Sequence, residues 1–287
     1  MSFAEELKSF QNTHPFSKMK VGDIEAKYLL CGNSESEITL VYLVGGTGCS
    51  IVWFNHLKQM EKDYQILTFD YPMEINDIEV LADFVIKFVG QLKIENTVFI
   101  GASLGGFLAR LIMRKYTGAD VAYALYSTSA LSVSAIEGLR KQYKSYGLML
   151  KLMKIVPYSW IKIILINASK KMVGMENEAE QDRKYMEDFF AWLYQNYTKE
   201  FDIHMTSLIV SVAKTKPITE QEYQKTGKNV LLVLPTDDKA FPEEAKNELI
   251  EIFPDAMVTM VCGEHTAVLY KVETYVKSTQ RFIEERL

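Results

Sequence analysis

A chain of 287 residues, 48% of them hydrophobic and 24% charged, has the balance of a globular protein and is long enough for one large α/β domain with an insertion, or for two small domains. A net charge of −5 and a pI near 5.6 argue against nucleic acid as a partner. Cys31, Cys49 and Cys262 are scattered, with neither metal-ligand spacing nor a disulfide framework, which fits a reducing cytoplasm. Met1 to Leu7 is acidic and polar, where a signal peptide would be basic and then apolar. The longest apolar stretch outside the expected strands, Trp160 to Ala168, is interrupted by Lys162 and falls short of the roughly 20 residues a membrane span needs. A cytoplasmic protein without a membrane span is expected.

Met19 to Leu30 reads as extended, followed by a turn over Gly32 to Glu37. Thr39 to Val44 is almost wholly apolar and β-branched, the pattern of a strand buried on both faces of a parallel sheet. Tyr64 to Phe69 is a second such run. Leu81, Phe84, Val85, Phe88, Val89 and Leu92 recur at helical spacing within Ile78 to Leu92. Thr97 to Ile100 and Val121 to Tyr126 are further buried strands, with a helical pattern from Phe107 to Tyr116 between them. Alternation of strand and helix predicts a doubly wound, mostly parallel sheet. From about 131 to 225 only helical patterns appear. Strand signals resume at Asn229 to Leu234 and Ala256 to Val261, with helices over Pro242 to Phe253 and Val272 to Arg286. The expected organisation is an α/β core of residues 1–130 and 226–287, with a helical insertion of residues 131–225 between late strands.

The most informative segment is Gly101-Ala102-Ser103-Leu104-Gly105-Gly106, placed between a strand and a helix. Strand, Gly-x-Ser-x-Gly turn and helix are the context of a nucleophile elbow, whose central residue is held at strained dihedrals. Gly101 and Gly105 supply the small flanking positions that such a turn requires. Ser103 is thereby presented at a helix N-terminus, where free N–H groups favour developing negative charge.

A serine needs a base, and the base needs a carboxylate to hold its tautomer. In doubly wound sheets such groups follow the carboxyl ends of strands. Of the four histidines, His14 lies in a polar N-terminal segment, His56 in an expected helix and His204 in the insertion. Only His265 directly follows a strand. Asp237 and Asp238 both follow the penultimate strand, and either could face His265 while its neighbour forms the turn. Backbone N–H groups of Leu104 and of Thr47, in the Gly45-Gly46-Thr47-Gly48 loop, are the expected oxyanion donors. That loop lacks both the Lys-Ser/Thr of a P-loop and a Gly-x-Gly-x-x-Gly pattern.

Together these residues resemble the α/β-hydrolase superfamily over nearly the whole chain. Gly45 to Gly48 stands where that family has its His-Gly oxyanion motif, with Gly45 in place of the histidine. Gly101 to Gly106 is similar to its elbow, and Gly263-Glu264-His265 to its histidine loop. Pro235 to Pro242 is similar to its acid turn, a match that selects Asp238. Phe69 to Pro72, Gly101 to Ala109 and Phe253 to Ala256 resemble the maspardin-like branch. The resemblance implies a serine hydrolase acting on a small acyl substrate, an ester, thioester or related bond, with no metal or organic cofactor. It implies as alternatives a non-catalytic binding or adaptor protein, since that branch includes members without a full triad, and a C–C hydrolase or acyltransferase using the same three residues. Ser103 argues against chemistry that needs a carboxylate nucleophile at that position.

In this superfamily such an insertion caps the active site. Arg140 to Val156 is basic and rich in Tyr, Leu and Met, including Tyr143, Tyr146, Met149, Leu150 and Met153. No acid occurs between Glu137 and Glu176, while acids cluster from Glu176 to Asp188. Three expectations compete here: a flexible apolar lining for acyl chains, a basic amphipathic helix at anionic membrane surfaces, and ordinary packing with solvated lysines. Oligomeric state is not readable.

Overall fold

A computed structural model describes residues 3–116, 121–173, 178–224 and 229–287; Met1, Ser2, Glu176 and the 225/226 boundary lie outside them. Phe3–Thr13 forms α1, a helix that reading the N-terminus as merely polar passes over. Phe3, Leu7 and Phe10 recur on one face and are buried, which gives a short helix its reason to form. The extended run after it is a hairpin of β1 (Ser17–Val21) and β2 (Ile24–Gly32), turning at Gly22 with φ +62°. The chain continues through β3 (Thr39–Leu43), α2 (Phe54–Met60), β4 (Gln65–Phe69) and α3 (Ile78–Gln91). The α3 N-terminus is capped by the Asp77 carboxylate, which accepts from the Glu79 and Val80 amides. Then come β5 (Thr97–Ala102), α4 (Leu104–Lys115) and β6 (Val121–Tyr126).

Among the described residues, five helices lie between β6 and the next strand: α5 (Val133–Met153), α6 (Tyr158–Val173), α7 (Glu180–Asn196), α8 (Lys199–Val212) and α9 (Glu220–Gln224). The chain closes with β7 (Val230–Pro235), α10 (Glu243–Ile252), β8 (Met257–Val261), α11 (Ala267–Tyr270) and α12 (Val272–Arg286).

The strands form one eight-stranded sheet in the order β1-β2-β4-β3-β5-β6-β7-β8. Six strands from β4 to β8 run parallel, while β2 is antiparallel to both β1 and β4. Every residue of β3, β5 and β7 is buried, which accounts for their unbroken apolar runs. At the β8 edge burial falls away on alternate residues. Strand β3 lies between β4 and β5, so the chain leaves it first to one side and returns on the other. That reversal opens a crevice beyond the carboxyl ends of β3 and β5, where doubly wound sheets bind ligands.

Candidate functional site

Ser103 immediately follows β5, at φ +52° and ψ −114°. A non-glycine residue in this region is strained, and here the surroundings hold it in place. The Ser103 amide donates to the Tyr126 carbonyl (3.0 Å), and its own carbonyl accepts from the Phe107 amide (3.1 Å), starting α4. A Cβ on Gly101 would lie 2.2 Å from the Gly105 carbonyl oxygen. One on Gly105 would lie 2.3 Å from the Leu43 carbonyl oxygen of β3. The first turn of α4 can therefore sit against two strands at once, and this projects the Ser103 hydroxyl into the crevice. Beneath the turn, Thr128 Oγ1 donates to the Ser103 carbonyl (3.4 Å) and accepts from Arg110 Nη2 (3.1 Å). Arg110 is fully buried, its guanidinium pushed down to about 10 by burial, and it stacks on Phe107.

His265, in the turn after β8, places Nε2 3.0 Å from Ser103 Oγ. Its Nδ1 lies 2.9 Å from Asp238 Oδ2. The two aspartates after β7 separate cleanly. Asp238 is buried, with Oδ1 accepting from the Ala240 (2.8 Å) and Phe241 (3.0 Å) amides. Asp237 is exposed, accepts from Thr236 Oγ1, and donates its amide to the Gly263 carbonyl. It shapes the turn and ties it to the histidine loop.

The loop after β3 turns tightly, with the Gly48 amide donating to the Gly45 carbonyl (2.9 Å) and Gly46 and Thr47 at the corner. A Cβ on Gly45 would lie 3.1 Å from the Ala102 carbonyl oxygen and 3.7 Å from Ser103 Cβ, so this loop lies alongside Ser103. From above, the Tyr197 hydroxyl, kept neutral by burial, donates to the Thr47 carbonyl. Leu104, as first residue of α4, has an amide without an intrahelical acceptor. Cys49, close by, is no rival nucleophile: burial, with Asp70 beside it, pushes its thiol up to about 12.

A cavity of about 530 Å³ opens over these groups. Its floor carries Gly46, Thr47, Ser103, Leu104 and His265, and its walls are mainly apolar. Tyr143, Tyr146 and Met149 of α5, Leu165 of α6, Phe190 and Leu193 of α7, and Met205 and Ile209 of α8 all reach it. Met153 is buried and Leu150 half-buried. Helices α5 to α8 thus supply much of the lining.

Solved structures share this architecture. An α/β-hydrolase enzyme from a Medee basin deep-sea metagenome library superposes with a TM-score of 0.77 over 93% of this chain and 97% of its own, at 14% identity. The enol-lactonase from Burkholderia xenovorans LB400 does so with a TM-score of 0.74 over 93% of this chain and 100% of its own, also at 14% identity. The chain has the α/β-hydrolase fold. Maspardin from Danio rerio is similar in sequence, 23% identical over 252 residues that cover 86% of this chain and 75% of that protein. No family model matches.

Within this α/β-hydrolase fold, other side chains near the site escaped the sequence reading. Ser127 follows β6 as Ser103 follows β5, also at positive φ (+43°). It lines the cavity and lies 3.4 Å from the Tyr275 hydroxyl. Its place directly after a strand is the local signal that marks Ser127 in the sequence. Tyr197 carries none. His56, set aside for its place in a helix, lies fully buried against the Val268 carbonyl, 2.7 Å from Nε2. It therefore braces α11, just beyond His265. Among the described residues, one set of metal-type ligands converges: His14, Cys31 and Glu61. They sit at the opposite, amino ends of the parallel strands. His14 Nε2 is already 2.7 Å from Glu61, and burial pushes the Cys31 thiol up to about 12, so it keeps its proton.

Proposed function

We propose that this protein is a serine hydrolase that cleaves an ester, thioester or related acyl bond through an acyl-enzyme. One observation carries the reading: Ser103 Oγ, His265 and Asp238 form a continuous hydrogen-bonded chain at 3.0 Å and 2.9 Å, at the floor of an apolar cavity. Ser103 Oγ attacks the acyl carbon while its proton passes to His265 Nε2. Asp238 accepts from Nδ1–H, fixing the tautomer and stabilising the imidazolium. The carbonyl oxygen takes up negative charge and receives the amides of Leu104 and Thr47. Collapse breaks the bond to the leaving group, which departs with the proton from Nε2. Water then repeats the sequence and frees the acid. On this reading residues 131–225 form a cap over the core, and the apolar walls select an uncharged acyl group of moderate size. The lactone named for the Burkholderia enzyme is itself an ester, in keeping with this bond class.

Exposure to a fluorophosphonate probe tests the assignment. The wild-type protein should label, with Ser103→Ala unlabelled and His265→Ala strongly impaired; on a p-nitrophenyl ester each variant should lose about 10⁶ in turnover. Labelling of Ser103→Ala at the wild-type level would refute it. A second reading draws on the maspardin likeness and on Gly45, which stands where the family has histidine. It describes a binding protein on a hydrolase scaffold. That reading requires that no wild-type acyl-enzyme burst occur on any p-nitrophenyl ester.

A further inference from the structure

Six of the thirteen large apolar side chains exposed among the described residues fall between positions 148 and 164. On α5 and its following turn, Leu148 (61%), Leu152 (50%) and Ile155 (83%) share one helical face. On α6, Trp160 (67%), Ile163 (60%) and Ile164 (58%) do the same. On α5 the opposite face is already used, since Ile136, Leu139 and Met153 are buried, and on α6 the buried Ile161 borders the exposed stripe. Ile155 lies in the short connection of residues 154–157 and Trp160 in the first turn of α6, so the two stripes adjoin along the chain. Exposed apolar side chains concentrated in this way mark an interaction surface.

The charge around it is one-sided. Between Glu137 and Glu176 the sequence holds eight basic residues and no acid, in a chain whose net charge is −5. Lys141, Lys144 and Lys151 lie on the same face of α5 as Leu148 and Leu152, and Lys154 lies in the turn. All four are exposed, and none enters an ion pair among the described residues. A second copy of the chain fits poorly, because two such faces meeting across a two-fold axis would oppose lysine to lysine.

We propose that the outward face of α5 and α6 docks on an anionic lipid bilayer, lying in the interface with the lysines at headgroup phosphates and Leu152, Ile155 and Trp160 below them. No helix among the described residues is long and apolar enough to cross a membrane; a Lys-rich, Trp-bearing apolar face is suited to lying in the plane instead. Ile164 also lines the cavity, so the docked face borders its mouth. This goes beyond the hydrolase reading and does not require Ser103 to be acylated.

Co-sedimentation of the full chain with phosphatidylcholine vesicles, with and without phosphatidylserine, tests it. Binding is expected on the anionic vesicles only, weakening as salt rises. Lys144→Gln with Lys151→Gln should lower partitioning by about fivefold for each lysine. Ile155→Ser with Trp160→Ser should lower it by about tenfold or more for each side chain. Unchanged circular-dichroism melts would show that both variants fold. The proposal is overturned if wild type ignores anionic vesicles, if folded variants bind as well as wild type, or if sedimentation velocity shows a dimer that Ile155→Ser with Trp160→Ser dissolves.

Discussion

The two oxygens of Asp238 do different work. Oδ1 is occupied by the amides of Ala240 and Phe241, which fix the carboxylate in its turn, and this leaves Oδ2 for His265 Nδ1. An amide at this position keeps the volume but can present N–H where the imidazole needs an acceptor, so it favours the wrong tautomer. Asp238→Asn should therefore lower kcat on a p-nitrophenyl ester by about 10⁴ while leaving the fold intact. Asp237, exposed and directed at Thr236, has no such role. Asp237→Asn should leave kcat close to wild type, and the pair of measurements separates two neighbouring carboxylates. Equal losses in both variants would mean that the acid turn acts as a structural unit and that Asp238 has no distinct electrostatic part. Lys239, next in sequence, pairs with Glu264 at 3.0 Å and so links the acid loop to the histidine loop. Lys239 is 60% exposed, so the pair contributes little beyond orientation.

Elements meet at the elbow more closely than side chains would allow. A methyl group on Gly105 would have to displace the backbone of β3 at Leu43 or that of α4. Gly105→Ala is expected to destabilise the protein by about 3 kcal/mol through overpacking. Gly138, within α5, has nothing within 4 Å of its would-be Cβ. Gly138→Ala should stabilise by up to about 1 kcal/mol, since alanine has the higher helix propensity. Urea unfolding midpoints with unchanged m values read both effects. The same contrast explains what the sequence reveals. Parallel strands buried on both faces leave unbroken apolar runs, and an elbow needs glycines at fixed offsets, so both are local patterns. Asp238 could be separated from Asp237 only by family likeness, because its partner lies 27 residues away. The bond from Tyr197 to the Thr47 carbonyl spans 150 residues and that from His56 to Val268 spans 212; neither leaves a local trace. Helix α1 is hard to read from sequence for a different reason. Its three apolar residues are diluted by an acidic and polar face, and they become a core only against Phe54, Tyr185 and Phe189.

At the scale of the molecule, the sheet is assembled from two stretches of chain that α5 to α9 separate, joined where β6 pairs with β7. Ser103 comes from the first stretch, Asp238 and His265 from the second, so the candidate site exists only while that seam is closed. His56 crosses the same divide, from α2 to the Val268 carbonyl in α11. Burial pushes its imidazole down to about 4 from an ordinary 6.5, with the Val268 bond offsetting part of that shift. Nε2–H donates, and Nδ1 is buried without a partner, so a second proton would be stranded there. The folded-state value lies below the unfolded one, so the unfolded chain takes up its proton first as pH falls. Above about 6.5 this residue adds no pH dependence to stability; between about 6.5 and 4 it removes roughly 3 kcal/mol, and below that it removes no more. His56→Gln retains a donor for Val268 and cannot titrate. Urea unfolding at about pH 7 and about pH 4.5 should therefore show a smaller loss of stability for the variant than for wild type, by roughly 2 to 3 kcal/mol. Parallel losses in the two proteins would mean that His56 is already charged in the fold, or that the seam is held by other groups.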